Sequence, residues 1–143
     1  MAIRLAAAAL LFVAGTGLAG AQDALVADGE KIYKKCKACH AVGADAKNKV
    51  GPQQNNLIGR VAGTADGYKY SKAMIAAGEA GLVWTEESLA VWLKAPKKYV
   101  KGTKMSFSGL KSDEDIAAVI AYLMTFDSDG MPEAGANTYQ PAS

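Results

Sequence analysis

The sequence predicts an all-α domain, and two observations carry that prediction. Apolar residues recur at helical spacing from Ile116 to Met124, and Ser112 with Asp115 forms a capping pair just before them. No segment alternates apolar and polar residues as a β-strand would, and no internal repeat or linker divides the chain. A length of 143 residues fits a single domain once a leader is removed.

A pentapeptide, Cys36-Lys37-Ala38-Cys39-His40, organises the rest of the chain. Its spacing matches the attachment signature for c-type haem. Each thiol can form a thioether with one vinyl group of the porphyrin, and the neutral imidazole of His40 can then bind the iron. The chain has only these two cysteines and this one histidine, so no other residues compete for the assignment.

Three other interpretations of the pentapeptide were weighed against haem attachment. A thioredoxin-like redox pair needs a βαβ setting, which the sequence does not contain. A structural zinc site would use a second cluster of ligands, and none follows. The third is a chance occurrence on an ordinary helix. Haem attachment is the favoured interpretation.

The first 21 residues have the features of a cleaved secretory leader. Arg4 supplies a sparse positive region, Leu5–Val13 is apolar throughout, and Ala19–Ala21 offers small residues for cleavage. The alternative is an uncleaved membrane anchor, but glycines interrupt the run, which falls short of roughly 20 firmly apolar residues. The predicted organisation is a signal peptide, a domain and an acidic flexible tail, at 1–21, 22–126 and 127–143.

Local patterns predict the first elements of the domain. Residues 24–38 form a helix with Ile32 and Tyr33 on its apolar face, although Gly29 weakens its first turn. Residues 41–60 are rich in Gly, Asn and polar residues, which predicts a loop. A loop of this length is unusual in a compact domain, and we expect an apolar haem to replace the missing core.

Two short helices and a basic irregular stretch follow. Ser71 caps a helix over 71–77, and Gly78 stands just past its end. Thr85 caps the next helix, which Pro96 ends, and its apolar stripe comprises Leu89, Trp92 and Leu93. The irregular stretch runs from 95 to 110 and precedes the last helix.

Charge is distributed unevenly along the chain. All the lysines lie between Lys31 and Lys111, whereas the stretch after Ser112 holds six acids and no Lys or Arg. If these parts fold to opposite sides, they make a strong dipole. A basic stretch can indicate nucleic acid binding, but nothing here resembles a nucleic-acid module, and none is expected as a partner.

The second axial position of a haem iron must be filled by Met, Lys, Tyr or nothing, because no second histidine exists. Met124 and Met74 lie on predicted helices and are most simply core residues. Met131 belongs to the predicted tail. Met105 lies in the irregular basic stretch, where the backbone can wrap the open haem face, so its position favours it as the ligand.

The order and spacing of several motifs resemble class I cytochrome c, and most closely the bacterial cytochrome c2 type. The resemblance runs from about Gly29 to Phe126 and rests on Cys36–His40, Gly51-Pro52, Gly59-Arg60, Trp84 and Pro96–Met105. It implies the class I cytochrome c fold, with helices wrapped around one covalently bound haem c. It also implies a contact between the first and last helices through Tyr33, Val119 and Tyr122.

The same matching implies roles for the pocket residues. Met105 would be the sulfur ligand opposite His40, and the carbonyl of Pro52 would orient the imidazole ring. Other residues match positions that contact a haem propionate, namely Arg60, Tyr70 and Trp84, or that line the sulfur side, namely Thr103 and Phe107. One of the chain's departures from the family pattern is a loop where Gln54 replaces an apolar haem-facing residue and Asn56 replaces a glycine. A different path is expected for the Gln53–Asn56 loop.

Two strong protein ligands would leave the iron no vacant position, which favours electron transfer over catalysis. A His/Met pair raises the reduction potential relative to two nitrogens or a thiolate. The resemblance implies a monomeric periplasmic electron carrier, not an enzyme. Its donor would be a quinol-oxidising bc-type complex and its acceptor a photosynthetic reaction centre or terminal oxidase. The rivals are a haem enzyme or gas sensor with Met105 off the iron, and a tethered module that keeps its leader.

Seven lysines near the attachment site and the Met105 stretch are expected to ring the exposed haem edge and to meet an acidic patch on each partner. The alternative is a solvated face that only aids solubility. The seven are Lys34, Lys35, Lys37, Lys94, Lys97, Lys98 and Lys104.

Overall fold

Five helices and the loops that join them make up residues 17–131, the part of the chain that this computed structural model describes. In chain order they are α1 Gly17–Tyr33, α2 Lys72–Glu79, α3 Glu86–Lys94, α4 Pro96–Tyr99 and α5 Asp113–Leu123. Within these residues the only β-structure is an isolated bridge between Val61 and Val83. The all-α prediction is confirmed.

The predicted leader and tail fall mostly outside the described range, since residues 1–16 and 132–143 are not part of it. The helix α1 begins at Gly17, so the expected cleavage point after Ala21 falls within it. At the other end, the Asp127 carboxylate accepts hydrogen bonds from the backbone N–H groups of Asp129 and Met131, both at 2.9 Å. Residues 127–131 therefore form a compact turn.

The first and last helices cross at Gly29. A Cβ added there would lie 1.9 Å from the carbonyl oxygen of Ala118, so only glycine lets the two helices approach this closely. The rings of Tyr33 and Tyr122 pack beside the crossing with centroids 5.3 Å apart, and Val119 is fully buried. The predicted contact is confirmed, and the crossing explains a glycine that local propensity disfavours.

The helix α1 ends at Tyr33, whereas the sequence predicted a helix as far as residue 38. The N–H of Cys36 donates to the carbonyl of Tyr33 at 2.8 Å, and the N–H of Cys39 donates to that of Cys36 at 3.0 Å. These three-residue spacings are tighter than those of an α-helix. Apolar periodicity cannot distinguish such turns from one more helical turn, which is why the predicted boundary is wrong.

Hydrogen-bonded caps begin α2 and α3 as predicted. The Ser71 hydroxyl accepts from the backbone N–H three residues on at 3.1 Å, and Thr85 and Ser88 form a reciprocal capping box. The predicted end of α2 before Gly78 is wrong, because Gly78 lies inside the helix. A Cβ there would lie 2.0 Å from the carbonyl oxygen of Ala62, so this glycine permits close packing and does not end the helix.

The region around Pro96 is more regular than predicted. The helix α3 ends at Lys94, and Pro96 then opens the short helix α4. This position suits proline because the first N–H of a helix needs no partner.

The Ser112 hydroxyl caps α5 by accepting from the N–H of Asp115 at 3.1 Å. The predicted apolar repeat of α5 is buried at Ile116, Val119, Ile120 and Leu123.

Candidate functional site

A cavity of about 520 Å³ opens in the middle of the fold. The helices α1, α2, α3 and α5 and the loops between them contribute its walls. This volume is in the usual range for ligand pockets. Much of the wall consists of buried apolar side chains, which include Leu57, Met74, Leu89, Trp92, Leu93, Leu110 and Val119.

All the residues that the sequence singled out for haem binding line this one cavity. They come from the turn after α1, from the loop before α2, from the bridge before α3 and from the loop before α5. The set comprises Cys36, Cys39, His40, Pro52, Arg60, Tyr70, Trp84, Thr103, Met105 and Phe107. The long irregular stretches therefore converge on a shared space, as the haem hypothesis requires.

The two cysteines are free thiols in the turn that follows α1. Cys39 is exposed and Cys36 is half-buried. Burial raises the pKa of the Cys36 thiol, because an apolar surrounding disfavours its thiolate. In residues 17–131, no group of three or more His, Cys, Asp or Glu side chains comes together to hold a metal ion.

Backbone groups on two sides hold His40 in place. Its Nδ1 lies 2.8 Å from the carbonyl oxygen of Pro52, so Nδ1 carries the proton and Nε2 is left as the free nitrogen of a neutral ring. Burial lowers the pKa of His40, which also favours the neutral imidazole. A Cβ added at Gly51 would lie 2.3 Å from Cε1 of the ring, so glycine is required beside it.

The cavity separates the four candidate methionines into two pairs. Met105 and Met74 line it, whereas Met124 and Met131 do not. Met74 lies within α2 and is 6% exposed as part of the core. Met105 is half-buried on the loop before α5, where its N–H donates to the Thr103 hydroxyl at 3.2 Å. Of these two lining residues, only Met105 is carried on a loop.

Arg60 brings a half-buried positive charge to the cavity wall. Its Nη2 donates to the carbonyl of Gln53 at 3.1 Å and its Nη1 to that of Asn55 at 3.4 Å. Its Nε is buried without a hydrogen-bond partner among the described residues. Burial lowers the pKa of the guanidinium, because desolvation disfavours the charged form. An anionic group in the cavity would be stabilised beside this cation.

Two tyrosines and a tryptophan line the cavity with Arg60. The rings of Tyr68 and Tyr70 meet edge to face, with centroids 4.7 Å apart. The Tyr70 hydroxyl accepts from the N–H of Ala65 at 3.3 Å, and the Tyr68 hydroxyl donates to the carbonyl of Val50 at 2.6 Å. Tyr70 and Trp84 were predicted to line the site, whereas Tyr68 was missed, although its position two residues before Tyr70 was the available signal.

The loop over Gln53–Asn56 shows how this chain accommodates its departure from the family pattern. Asn56 has a φ of +48°, in the left-handed region that glycine and asparagine tolerate best. Its N–H donates to the carbonyl of Phe126 at 2.9 Å. Asparagine can therefore take a backbone conformation that a glycine would also take. Gln54 lines the cavity, and its Oε1 is buried without a partner among the described residues.

The seven predicted docking lysines are all exposed, and Lys35 and Lys104 line the cavity itself. Two of the seven have acidic partners at the start of α5. Lys94 lies 2.7 Å from Asp113, and Lys35 lies 3.8 Å from Asp115. The basic and acidic parts therefore meet here, so the condition for a strong dipole, that they fold to opposite sides, is not fully met. Exposed pairs of this kind are worth roughly 0–1 kcal/mol each.

The chemistry of the cavity fits a haem in three respects. A porphyrin is apolar over both faces, and the walls are mostly apolar. Its vinyl groups need two thiols beside a histidine, which Cys36, Cys39 and His40 supply. Its carboxylates need polar partners, and Arg60 offers a half-buried cation.

None of the helices in residues 17–131 is long and apolar enough to span a bilayer.

Comparisons with known proteins agree with this fit. The family described as cytochrome c matches residues 26–127. A cytochrome c2 from Afifella marina is 62% identical over 117 residues, which cover 82% of this chain and 94% of that protein. A cytochrome c2 from Agrobacterium tumefaciens (strain II Chrys) is 50% identical over 107 residues, which cover 75% of this chain and 96% of that protein.

A solved structure gives the same answer for the fold. The structure of cytochrome c2 from Rhodospirillum centenum superposes with a TM-score of 0.68 at 43% sequence identity. The match covers 71% of this chain and 97% of that one. The predicted fold class is confirmed.

Proposed function

Because this chain belongs to the cytochrome c family, in its class I cytochrome c2 type, and carries covalently bound haem c, we propose that it is a periplasmic one-electron carrier with His40 and Met105 as axial ligands. Family membership makes it a c-type cytochrome, an electron carrier and not an enzyme in the usual sense. Cys36 and Cys39 fit the haem attachment motif. The ligand pair, the partners and the compartment are the proposed part.

The position of His40 is the single observation that carries the proposal. Its ring lies in the cavity with Nδ1 at the carbonyl of Pro52, so Nε2 is the nitrogen left to bind iron. Met105 is the favoured sulfur because its loop can move the side chain to the metal, whereas Met74 is held within α2. A hydrogen bond from the Met105 N–H to the Thr103 hydroxyl supports the turn that carries Met105.

The arrangement suits electron transfer. When bound, the haem supplies an iron that gains and loses one electron. His40 and Met105 would hold the iron and leave no position for a substrate, and the apolar walls would surround the ring. A thioether ligand and burial both disfavour the extra charge of ferric iron, which raises the reduction potential. The protein would therefore accept electrons from a quinol-oxidising complex and pass them to a stronger oxidant.

The exposed lysines support a docking role. Lys35 and Lys104 line the cavity, and the other five lie nearby in sequence. A ring of positive charge speeds encounter with an acidic partner surface without holding the product complex, which suits a shuttle. The proposed partners are a bc-type complex as donor and a photosynthetic reaction centre or terminal oxidase as acceptor. The leader-like segment at residues 1–21 supports a periplasmic location.

An absorption spectrum of both oxidation states, recorded during a potentiometric titration, tests the proposal. We expect a spectrum typical of thioether-linked haem, a sulfur-to-iron charge-transfer band in the oxidised protein, and one reversible one-electron wave at high potential. The oxidised protein should bind cyanide slowly. Immediate cyanide binding together with no charge-transfer band would contradict the ligand assignment and support a haem enzyme or gas sensor.

A further inference from the structure

Gln54 places an amide in the wall of a mostly apolar cavity. Its Oε1 is buried and accepts no hydrogen bond from the described residues. A buried amide oxygen without a donor is costly, so such an atom calls for an explanation. Nothing in the proposed electron-transfer role so far uses this side chain.

Arg60 supplies a matching unpaired donor in the same loop. The guanidinium bonds the carbonyls of Gln53 and Asn55, the two residues that flank Gln54, at 3.1 and 3.4 Å. It therefore lies against the backbone of Gln54 itself. Its Nε is also buried and without a partner in the part of the chain that the structure describes. An unpaired buried donor and an unpaired buried acceptor thus occupy one short loop.

The haem carboxylates are the groups that need polar partners in this cavity. Of the three lining cations, Lys35 and Lys104 are exposed, and only Arg60 is half-buried. A carboxylate that leaves water is stabilised most by a buried cation and by N–H donors. The Arg60 side of the cavity is therefore where an inward carboxylate is best accommodated.

We propose that Gln54 is a positioning residue for one haem carboxylate. Its Oε1 accepts from the Nε of Arg60, and its amide NH₂ donates to the carboxylate. Oε1 and the NH₂ group of Gln54 are bonded to the same carbon and point in different directions. When Oε1 pairs with Arg60, the NH₂ group therefore turns into the cavity. This inference rests on the proposed function, because it requires the haem in place. It gives a reason for a polar side chain where the family pattern has an apolar one.

The hydrogen bond would show in the NMR spectrum of the reduced holoprotein. We expect the side-chain NH₂ protons of Gln54 to exchange slowly with water and to show cross-relaxation to the haem carboxylate chain. The NH₂ protons of Gln53 serve as the internal reference, since Gln53 does not line the cavity. Exchange of the Gln54 protons at the same rate as those of Gln53 would overturn the proposal.

A substitution tests the same bond through pH. An amide that donates to an ionised carboxylate lowers the pKa of that carboxyl group. The variant Gln54→Met keeps a long unbranched side chain but lacks the amide. In this variant the haem carboxyl group should be about tenfold weaker as an acid. The pH at which the reduction potential begins to fall should therefore rise by about one unit. The titratable or charged groups that line the cavity stay the same in both proteins: Tyr33, Lys35, Cys36, Cys39, His40, Arg60, Tyr68, Tyr70 and Lys104.

The matched control is Gln53→Met in the same loop. The Gln53 side chain accepts from the N–H of Asn55 at 2.7 Å, so this variant disturbs the loop without removing an amide from the cavity. We expect its pH profile to match that of the unmodified protein. An equal shift in both variants would mean a loop effect and overturn the positioning role, as would an unchanged Gln54→Met profile. Absence of any reversible one-electron wave in the unmodified protein would instead contradict the proposed function.

Discussion

The histidine side and the methionine side of the cavity differ in how firmly the chain holds them. On the histidine side, the N–H of Gly51 donates to the carbonyl of Cys39 at 2.7 Å. The carbonyl of Pro52 bonds the His40 ring, and the Cα of Gly51 leaves no space for a side chain next to that ring. The imidazole is therefore fixed by the backbone around it.

On the methionine side, Met105 is half-buried on a loop with fewer such restraints. Its N–H bonds the hydroxyl of Thr103, and a turn with Gly102 at a φ of +90° precedes it. The position of the imidazole therefore depends on close packing of the backbone around it. The position of the sulfur depends on a loop whose conformation should survive replacement of the Met105 side chain. Substitutions on the histidine side should therefore lower the stability of the fold, and replacement of the sulfur should mainly change the redox properties.

The largest effect is expected from Gly51→Ala. The new Cβ would lie 2.3 Å from the His40 ring, which cannot move away without breaking its bond to Pro52. We expect a loss of about 3 kcal/mol in the free energy of unfolding, because overpacking a rigid contact is costly. Denaturant unfolding of the holoprotein measures it. A loss under about 1 kcal/mol would mean that the ring is free to shift and that this side is not rigid.

Replacing the sulfur should change the redox chemistry more than the fold. In Met105→Leu we expect the charge-transfer band to disappear, cyanide to bind at once and the reduction potential to fall by on the order of 0.1 V or more. The matched control is Met74→Leu, which removes the other sulfur that lines the cavity. If Met74→Leu loses the band and Met105→Leu keeps it, then Met74 is the ligand.

Acid should act on the histidine side alone. Burial lowers the pKa of His40 below its ordinary value of 6.5, so the neutral ring contributes stability above that pH and loses it as the pH falls through the lowered value. A thioether does not titrate in this range. Iron coordination also requires the neutral ring, so we expect an acid titration of the oxidised protein to release the histidine only below pH 6.5. Release above that value would contradict a buried neutral imidazole.

A glycine on the methionine side should be easier to replace than Gly51. A Cβ at Gly102 would lie 3.2 Å from the Cβ of Ala73, and the residue must keep a positive φ. We expect Gly102→Ala to lower the free energy of unfolding by about 1–2 kcal/mol, mainly through the left-handed backbone. The same denaturant experiment ranks it against Gly51→Ala. A larger loss for Gly102→Ala would reverse the comparison.

The smallest effects should come from substitutions of the exposed lysines. Comparing a lysine on the cavity wall with one that is paired to an acid distinguishes docking from ion pairing. Lys104→Ala removes a charge from the cavity wall, and we expect electron transfer to an acidic partner to slow by a factor of about three at low salt. Lys94→Ala is the control, since Lys94 already pairs with Asp113 at 2.7 Å. Stopped-flow rates at several salt concentrations measure both. A salt-independent rate would remove the docking role.

Features that depend on neighbouring residues could be predicted from the sequence. The attachment motif occupies five consecutive residues, so its spacing alone indicated the haem and the histidine beside it. The caps at Ser71 and Thr85 and the apolar repeat of α5 are equally local, and the structure confirms them. Resemblance to a family supplied the remaining pocket residues, which line the cavity from distant parts of the chain.

Tertiary structure alone decided the roles that depend on distant atoms. Glycine has a low helix propensity, so Gly29 and Gly78 weaken their helices locally. Glycine is needed at both positions because the carbonyl of Ala118 lies against Gly29 and the carbonyl of Ala62 lies against Gly78. The hydrogen bonds from Arg60 to the two carbonyls that flank Gln54 likewise follow from a loop that folds back on itself. The sequence by itself determined the cofactor and the helical fold, because a covalent motif and helical periodicity are short-range. The shape of the pocket required the fold, because close approach and buried unpaired atoms exist only between segments far apart in the chain.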